Sequence, residues 1–360
     1  MKDIEAFFPL SPMQQGMLFH TLYAPEAEAY FEQLSFSLQG DFDDQAFERA
    51  WQEVVNRHQA LRSSFRWEGV KEPVQVVHRS VKLEFERLDW TSTPAHEQPQ
   101  LLNDLLQNDR QRGFNLAQAP LMRLTVVTTA ANTYQLVWSH HHLLMDGWSV
   151  PIVLNEVATF YVAFSKSSPL QLQPPRPYRD YIVWLRKQDV NRAQEFWRKQ
   201  LKGFTSPTSL PSVPSDNTAE HRSLHAQLSA AEATRLRNFT RRHHLTLSTI
   251  VNGAWALLLS RCSGEAEVLF GVTVSGRPAE FKGAESMVGL FINTLPLRVR
   301  IDPHESLSNW LKALQLQQME MLQFEYSPLV DIQGWSDVPR GRQLFESIMV
   351  LENYPAPPSS

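Results

Sequence analysis

The chain has 360 residues, which at about 100–200 residues per domain suggests two domains or one large bilobed unit. Its 34 Lys and Arg against 38 Asp and Glu give a formal net charge of −4, and 42% of the residues are hydrophobic. This is globular composition, and it excludes a disordered chain, a peptide hormone and a small disulfide scaffold. The lack of a basic balance or a Lys/Arg stripe argues against nucleic acid as a partner.

The single cysteine, Cys262, cannot form an intramolecular disulfide, and no cysteine pair has zinc-binding spacing. The first five residues have neither the basic nor the apolar region of a signal peptide. The longest apolar runs, such as 254–259, fall far short of the ~20 residues that a membrane helix needs. We therefore expect a soluble cytoplasmic protein with no bound metal and no membrane partner.

The first half begins with a helical pattern. Apolar residues recur with helical spacing over 46–55, and Asp43 or Asp44 is suited to cap this helix. Further on, the strand-like runs 121–128 and 134–138 flank turn-forming residues, which predicts a β-hairpin.

After Gly147 the pattern becomes helical again, with an apolar stripe over 150–164 and Ser149 as its predicted N-cap. The segment 140–147 is therefore predicted to be a loop between a strand and a helix. Four prolines between 166 and 177 predict an irregular connection between two halves of the chain.

The second half mixes helices and strands in the same way, with a proline-containing loop at 203–217. The pattern predicts helices and one strand, in the order helix 181–201, helix 231–243, helix 247–260 and strand 267–274. Because strands and helices interleave, the predicted fold class is α/β, or α+β with mixed sheets.

The strongest chemical signal is the predicted loop, where consecutive histidines are followed by Asp146 and Gly147 before a helix begins. An imidazole, a carboxylate and free backbone N–H groups in one loop favour acid/base chemistry. A run of histidines at a strand end is also explained by a solvated surface or by packed core imidazoles. A zinc site is disfavoured because His141 and His142 point to opposite faces of a strand.

Six segments in the same order resemble motifs of the condensation domains of nonribosomal peptide synthetases, relatives of chloramphenicol acetyltransferase. They are SPMQQGML (11–18), RHQALRSSF (57–65), HHLLMDG (141–147), YRDYIVW (178–184), VGLFINTLPLR (288–298) and FESIMVLENYP (345–355). The opening motif is similar to that of the subclass joining an L-configured donor to an L-amino acid acceptor. The intact histidine pair argues against the cyclising subclass, which carries aspartate there.

The resemblance implies two chloramphenicol-acetyltransferase-like lobes in a V-shaped arrangement, with the active site at their interface. In this interpretation residues 1–165 form the N-terminal lobe, 166–177 the connection and 178–360 the C-terminal lobe. The chain ends soon after the last motif, whereas family members continue with further elements, so we expect the second lobe to be truncated.

The resemblance also implies the reaction, in which the α-amine of one carrier-bound aminoacyl thioester attacks the carbonyl of a second, peptidyl thioester. His142 is expected to be the working imidazole, and the N–H of Gly147 and the hydroxyl of Ser149 to stabilise the developing oxyanion. Asp146 is expected to pair with Arg62 and so hold the loop, while capping of the following helix is its alternative role. His141 is expected to be packed structure.

Asn293 and Thr294 resemble a segment that lines the substrate tunnel in the family, although burial in a strand explains them equally well. His140 is an extra histidine with no role that we can assign. No cofactor is expected in the domain itself, because the family receives its substrates on the 4'-phosphopantetheine of carrier proteins.

The implied partners are upstream and downstream peptidyl carrier proteins and an adenylation domain, with this chain as one monomeric unit of a multidomain synthetase. The motifs do not reveal which amino acids are joined. Two alternatives remain open: an acyltransferase that uses acyl-coenzyme A, and a truncated fragment that docks carrier proteins without catalysis.

Overall fold

The computed structural model describes residues 3–24, 29–210 and 223–352. Within this part the chain forms two compact units. The first unit holds the described residues up to 188 together with 277–292, and the second holds those of 189–276 and 293–352. Strands and helices alternate through both units, which confirms the predicted mixed α/β fold class.

The strands of the described residues, in chain order, are β1 (Ile4–Pro9), β2 (Phe31–Gln39), β3 (Ser63–Arg66), β4 (Val74–His78), β5 (Glu84–Asp89), β6 (Met122–Ala130), β7 (Thr133–His141), β8 (Glu267–Val274), β9 (Asn293–Arg300) and β10 (Ile348–Met349). The helices are α1 (Pro12–Tyr23), α2 (Asp44–Arg57), α3 (Gln98–Arg112), α4 (Ser149–Ser165), α5 (Arg179–Leu185), α6 (Val190–Leu201), α7 (Ala230–His243), α8 (Leu247–Ser263), α9 (Leu307–Leu322) and α10 (Leu329–Trp335). Short 3₁₀ helices span Gln59–Arg62 and Ala284–Ser286.

The first unit contains two sheets. One has the order β1-β4-β3 and is antiparallel, and the other has the order β2-β7-β6-β5 with β5 parallel to β6. Helices α2 and α4 pack together, and Trp51 of α2 lies edge-on against Trp138 of β7, with 4.8 Å between ring centroids. This aromatic core supports the strand that ends in the histidines.

Local expectations for the first unit are largely confirmed. Asp43 caps α2 by accepting the N–H of Ala46 at 2.9 Å, and β6 and β7 form the predicted hairpin. The predicted cap of α4 is wrong. Its N-cap is Trp148, and Ser149 is already the first helical residue, because the Asp146 carboxylate accepts the N–H of Ser149 at 3.1 Å.

In the second unit β8 has the predicted bounds and pairs with β9 and β10. The single helix predicted over 181–201 is instead the two helices α5 and α6. The break falls at Asp189, whose carboxylate caps α6 by accepting the N–H of Arg192. The predicted loop at 203–217 is irregular as far as residue 210, and its remainder lies outside the described residues.

The compact units do not begin and end where the predicted lobes do. Residues 178–188 lie in the first unit, and so does the later segment 277–292. The hydroxyl of Tyr178 donates to the carbonyl of Leu290, and the Tyr178 ring occupies the space that a side chain at Gly289 would need. The division into lobes at 166–177 stays a prediction.

Candidate active site

Two of the three consecutive histidines are buried on opposite faces of β7. His140 packs against Trp138, with ring centroids 4.9 Å apart, and burial lowers its pKa to about 3, with smaller contributions from His142 and His141. Burial and, secondarily, the His142 charge lower the pKa of His141 to about 4. Both imidazoles are therefore neutral near pH 7.

The hydrogen bonds of His141 define its tautomer. Its Nδ1 accepts the N–H of Leu143 at 3.2 Å, and its Nε2 lies 3.4 Å from the hydroxyl of Thr21. Because the Thr21 hydroxyl donates to the Met17 carbonyl, the His141 proton lies on Nε2 and points to Thr21. The ring is neutral and each of its nitrogens has a hydrogen-bond partner. His141 therefore has the environment of a packed side chain, as expected.

His142 is the most accessible of the three histidines and begins the loop after β7. Its N–H donates to the Tyr30 carbonyl at 2.8 Å, and its carbonyl accepts the N–H of Met145 at 3.2 Å. Tyr30 has a left-handed backbone with φ of 68°, a conformation that costs non-glycine residues about 1–2 kcal/mol. The Nδ1 of His142 is buried and has no hydrogen-bond partner among the described residues.

Asp146 is completely buried and organises the end of this loop. One carboxylate oxygen accepts from the N–H and the hydroxyl of Ser149 and from the Arg277 guanidinium, each at 3.1 Å. The other oxygen accepts the N–H of Phe291 at 2.9 Å, and the Asp146 N–H donates to the Gly289 carbonyl at 3.1 Å. The carboxylate thus ties the loop to the segment 277–292 within the first unit.

The predicted pair of Asp146 and Arg62 is wrong. Arg62 ends the 3₁₀ helix beside β1 and β4, so its guanidinium reaches Glu5 at 2.7 Å and the carbonyls of His78 and Arg79. Arg277 takes the expected place, donating to Asp146 and to the Ser149 hydroxyl, and its guanidinium lies 4.0 Å from the centre of the Phe291 ring.

Sequence reasoning missed Arg277, which follows β8 by three residues. An arginine beside Gly276 and Pro278 at the end of an apolar strand has the pattern of an ordinary turn residue. Only its partner identifies it, and that partner lies 131 residues away in the chain.

The Ser149 hydroxyl is fully engaged in this network. It donates to Asp146 or to the Gly289 carbonyl, and it accepts from the Gly289 N–H at 3.1 Å and from Arg277 at 3.0 Å. Ser149 has no exposed surface, whereas Gly147, two residues earlier, is partly accessible.

Asn293 and Thr294 begin β9 in the second unit and are buried there. The Asn293 amide donates to the carbonyls of Glu325 and Ser327, both at 2.8 Å, and its oxygen accepts the N–H of Thr294. These bonds fit the strand-burial explanation, and the tunnel-lining role stays a prediction.

Within the described residues, no three His, Cys, Asp or Glu side chains cluster closely enough to hold a metal ion. The helices of the same ranges include none that combines the length and apolarity needed to span a membrane.

The model of the Condensation domain family matches residues 4–359. The chain belongs to the condensation-domain family. One of the linear gramicidin synthase proteins of Brevibacillus parabrevis is 48% identical to it over 360 residues, which cover 99% of this chain and 7% of that protein. Bacitracin synthase 3 of Bacillus licheniformis is 38% identical over 353 residues, which cover 98% of this chain and 6% of that protein. This condensation domain therefore spans less than a tenth of the length of these relatives.

Solved structures show the same fold. The starter condensation domain of rhizomide synthetase, solved with C8-CoA, matches with a TM-score of 0.81 and 21% identity, over 97% of this chain and 79% of that one. The condensation domain of the monacolin K polyketide synthase matches with a TM-score of 0.78 and 18% identity, over 96% of this chain and 81% of that one. These likenesses and the family match confirm the resemblance drawn from the six motifs.

Proposed function

We propose that this condensation domain forms a peptide bond between two carrier-bound substrates. The donor is a peptidyl or aminoacyl thioester on an upstream carrier protein, and the acceptor is an aminoacyl thioester on a downstream one. The relatives are synthases named for linear gramicidin and bacitracin, and a part of a four-domain nonribosomal peptide synthetase, 27% of its chain, has the same fold with a TM-score of 0.79. The proposed acceptor and donor both carry L-residues, as the opening motif at 11–18 suggests.

The observation that carries this proposal is the contrast among the histidines. His140 and His141 are buried and neutral, whereas His142 is partly accessible on a backbone held by Tyr30 and Met145. Such an imidazole is suited to bind an amine nucleophile and to receive its proton.

In the proposed step the amine nitrogen attacks the thioester carbonyl, a C–N bond forms and the C–S bond breaks. The amine proton passes to His142 and then to the departing thiolate, so the products are an amide and a free carrier thiol. An α-amine has a pKa of about 7.7–8.0, so its deprotonation near neutral pH needs little help, and His142 contributes by orientation as well as by proton transfer. The thioester is already activated, and no acyl-enzyme is required.

We assign the remaining residues by what they contact. Asp146 and Arg277 hold the loop, and Ser149 joins them, because its only proton is bound by Asp146 or by the Gly289 carbonyl. The N–H of Gly147, beside the start of α4, is the donor that we propose for the developing oxyanion. The substrates arrive on 4'-phosphopantetheine arms, and an adenylation domain supplies the amino acid.

The test is product formation from two loaded carrier proteins, followed by mass spectrometry of the downstream carrier. The wild-type chain is expected to transfer the donor, and His142→Ala to slow this transfer by about 10²–10⁴-fold without changing the unfolding temperature. His96→Ala is the matched control, because that side chain is 81% exposed.

Equal rates for wild type and His142→Ala would remove the assignment of His142. A folded wild-type chain that transfers acyl groups from coenzyme A but not from a carrier would favour the acyl-coenzyme A alternative. No transfer from either donor would favour the docking fragment.

A further inference from the structure

Three buried polar side chains of the first unit form a hydrogen-bonded chain that ends at the active-site loop. We call Gln14, Gln75 and Ser63 the amide chain; they come from α1, β4 and β3, and none of the three has exposed surface. Gln14 donates from Nε2 to the Oε1 of Gln75 at 2.8 Å, and Gln75 donates to the Ser63 hydroxyl at 2.8 Å. Ser63 in turn donates to the Gln59 carbonyl at 2.7 Å.

Gln14 makes a further bond that leaves the amide chain. Its Nε2 also donates to the carbonyl of Leu143 at 3.2 Å, and its Oε1 accepts the N–H of Ser11 at 3.0 Å. Both protons and the acceptor oxygen of the buried amide are therefore used, as burial of a polar side chain requires. The carbonyl that Gln14 holds belongs to the residue directly after His142.

This bond completes the support of the backbone around His142. The His142 N–H is held by Tyr30, and the Leu143 N–H by His141. The next peptide plane is held on both sides: Gln14 donates to the Leu143 carbonyl, and the Leu144 N–H donates to the His141 carbonyl at 3.0 Å. The Gln14 bond is the one that comes from a side chain of another element.

We propose that Gln14 is a positioning residue that orients His142 through the Leu143 carbonyl. Without this donor the buried carbonyl either stays unpaired, at a cost of about 1–3 kcal/mol, or turns away and moves the neighbouring imidazole. A displacement of about 1 Å at a reacting group can reduce a rate about 10²-fold. The inference rests on the proposed function, because it concerns the rate of the step assigned to His142.

The experiment compares two variants that break the same buried bond. Gln14→Met and Gln75→Met have similar volume and both remove the hydrogen bond between Gln14 and Gln75, but only Gln14→Met removes the bond to Leu143. We expect both to lower the unfolding temperature, and Gln14→Met to lower it more, because it also leaves the Leu143 carbonyl and the Ser11 N–H unpaired. Gln14→Met is expected to reduce the rate at saturating carrier proteins about 10-fold, and Gln75→Met less than about 3-fold, with half-saturating carrier concentrations unchanged.

A double-mutant cycle separates positioning from a general loss of structure. In the His142→Ala background, Gln14→Met is expected to have no further effect on the rate, because there is no imidazole left to position. If Gln14→Met does not fold, Gln14→Asn takes its place, since it keeps a neutral amide but is one methylene shorter and draws the donor away from the Leu143 carbonyl.

Three outcomes would overturn the inference: equal rates for the Gln14 and Gln75 variants, an unchanged rate in the Gln14 variant, or the same loss with and without His142. In each, the wild-type chain still forms product, so the proposed function stands. A folded wild-type chain without turnover would instead overturn the proposed function and this inference together.

Discussion

The two ends of strand β7 are built differently. The C-terminal end, at His140 and His141, leads into a loop whose backbone is held by buried polar side chains. The N-terminal end, at Tyr134 and Leu136, borders an apolar cavity of about 480 Å³ that is open to solvent, since Gly40 and Ala158 in its lining are exposed. The residues that line this cavity are Phe36, Leu38, Gln39, Gly40, Asp41, Phe42, Phe47, Trp51, Tyr134, Leu136, Leu154, Val157, Ala158 and Tyr161.

The difference follows from the forces involved. Hydrogen bonds are directional, so the partners of Asp146 and Gln14 leave the loop one arrangement. Apolar burial is non-directional and stabilises many arrangements almost equally, so packing around the cavity tolerates open volume. Buried hydrogen bonds therefore support the end of β7 that carries His142, for which we propose a catalytic role. Substitutions at the two ends of β7 are expected to change the free energy of unfolding by different amounts and in opposite directions.

The largest effect is expected from Asp146→Asn. The amide cannot neutralise Arg277, and its NH₂ group faces the N–H of Phe291 or the donors of Ser149, so a buried charge loses its partner. We expect a loss of about 3–5 kcal/mol in the free energy of unfolding, measured by urea denaturation, and loss of condensation activity.

The matched control is Glu72→Gln, which breaks an ion pair with Arg186 whose side chains are 52% and 58% exposed. That change is expected to cost less than about 1 kcal/mol. Equal costs for the two variants would contradict the view that the loop depends on its buried carboxylate.

An intermediate effect is expected from acid. His140 and His141 titrate near 6.5 in the unfolded chain but have pKa values of about 3 and about 4 when folded. The unfolded state therefore binds more protons as the pH falls below 6.5, and stability decreases until the pH reaches the folded values. Each ring is expected to lower the free energy of unfolding by about 2 kcal/mol at pH 5 relative to pH 8.

The check is the free energy of unfolding measured at pH 8, 6 and 5. His140→Phe, which preserves an aromatic ring beside Trp138, is expected to remove about half of this acid sensitivity. The exposed His96→Gln is expected to leave the slope unchanged. A wild-type stability that is flat from pH 8 to 5 would show that these two rings are not buried as neutral groups.

The smallest effect, and one of opposite sign, is expected at the apolar end. Ala158→Leu places a larger apolar side chain on α4 toward the cavity and is expected to raise the free energy of unfolding by about 0.5–1 kcal/mol. The rate of condensation is expected to stay at the wild-type value. A loss of stability or of activity would mean that this end of β7 is as tightly specified as the other.

The amino-acid sequence by itself determined the local elements and the motif. Periodic apolar residues and capping side chains act over a few positions, and so α2, the hairpin of β6 and β7, and β8 lie where their patterns predict. The order of His141, His142, Asp146 and Gly147 is enough to locate the loop for which we propose a catalytic role. The boundary between α5 and α6 was missed, although four polar residues at 186–189, the last of them the helix-capping Asp189, interrupt the apolar pattern there.

Only the tertiary structure decided which distant groups hold that loop. Arg62 and Arg277 both qualify by charge as partners of Asp146, but 3₁₀ geometry directs Arg62 to Glu5, and packing of 277–292 brings Arg277 to the carboxylate. The bond of Gln14 to Leu143 spans 129 residues and has no periodic signature in the chain. Spacing specifies neighbours along a helix or strand, whereas contacts between elements depend on how their buried faces meet.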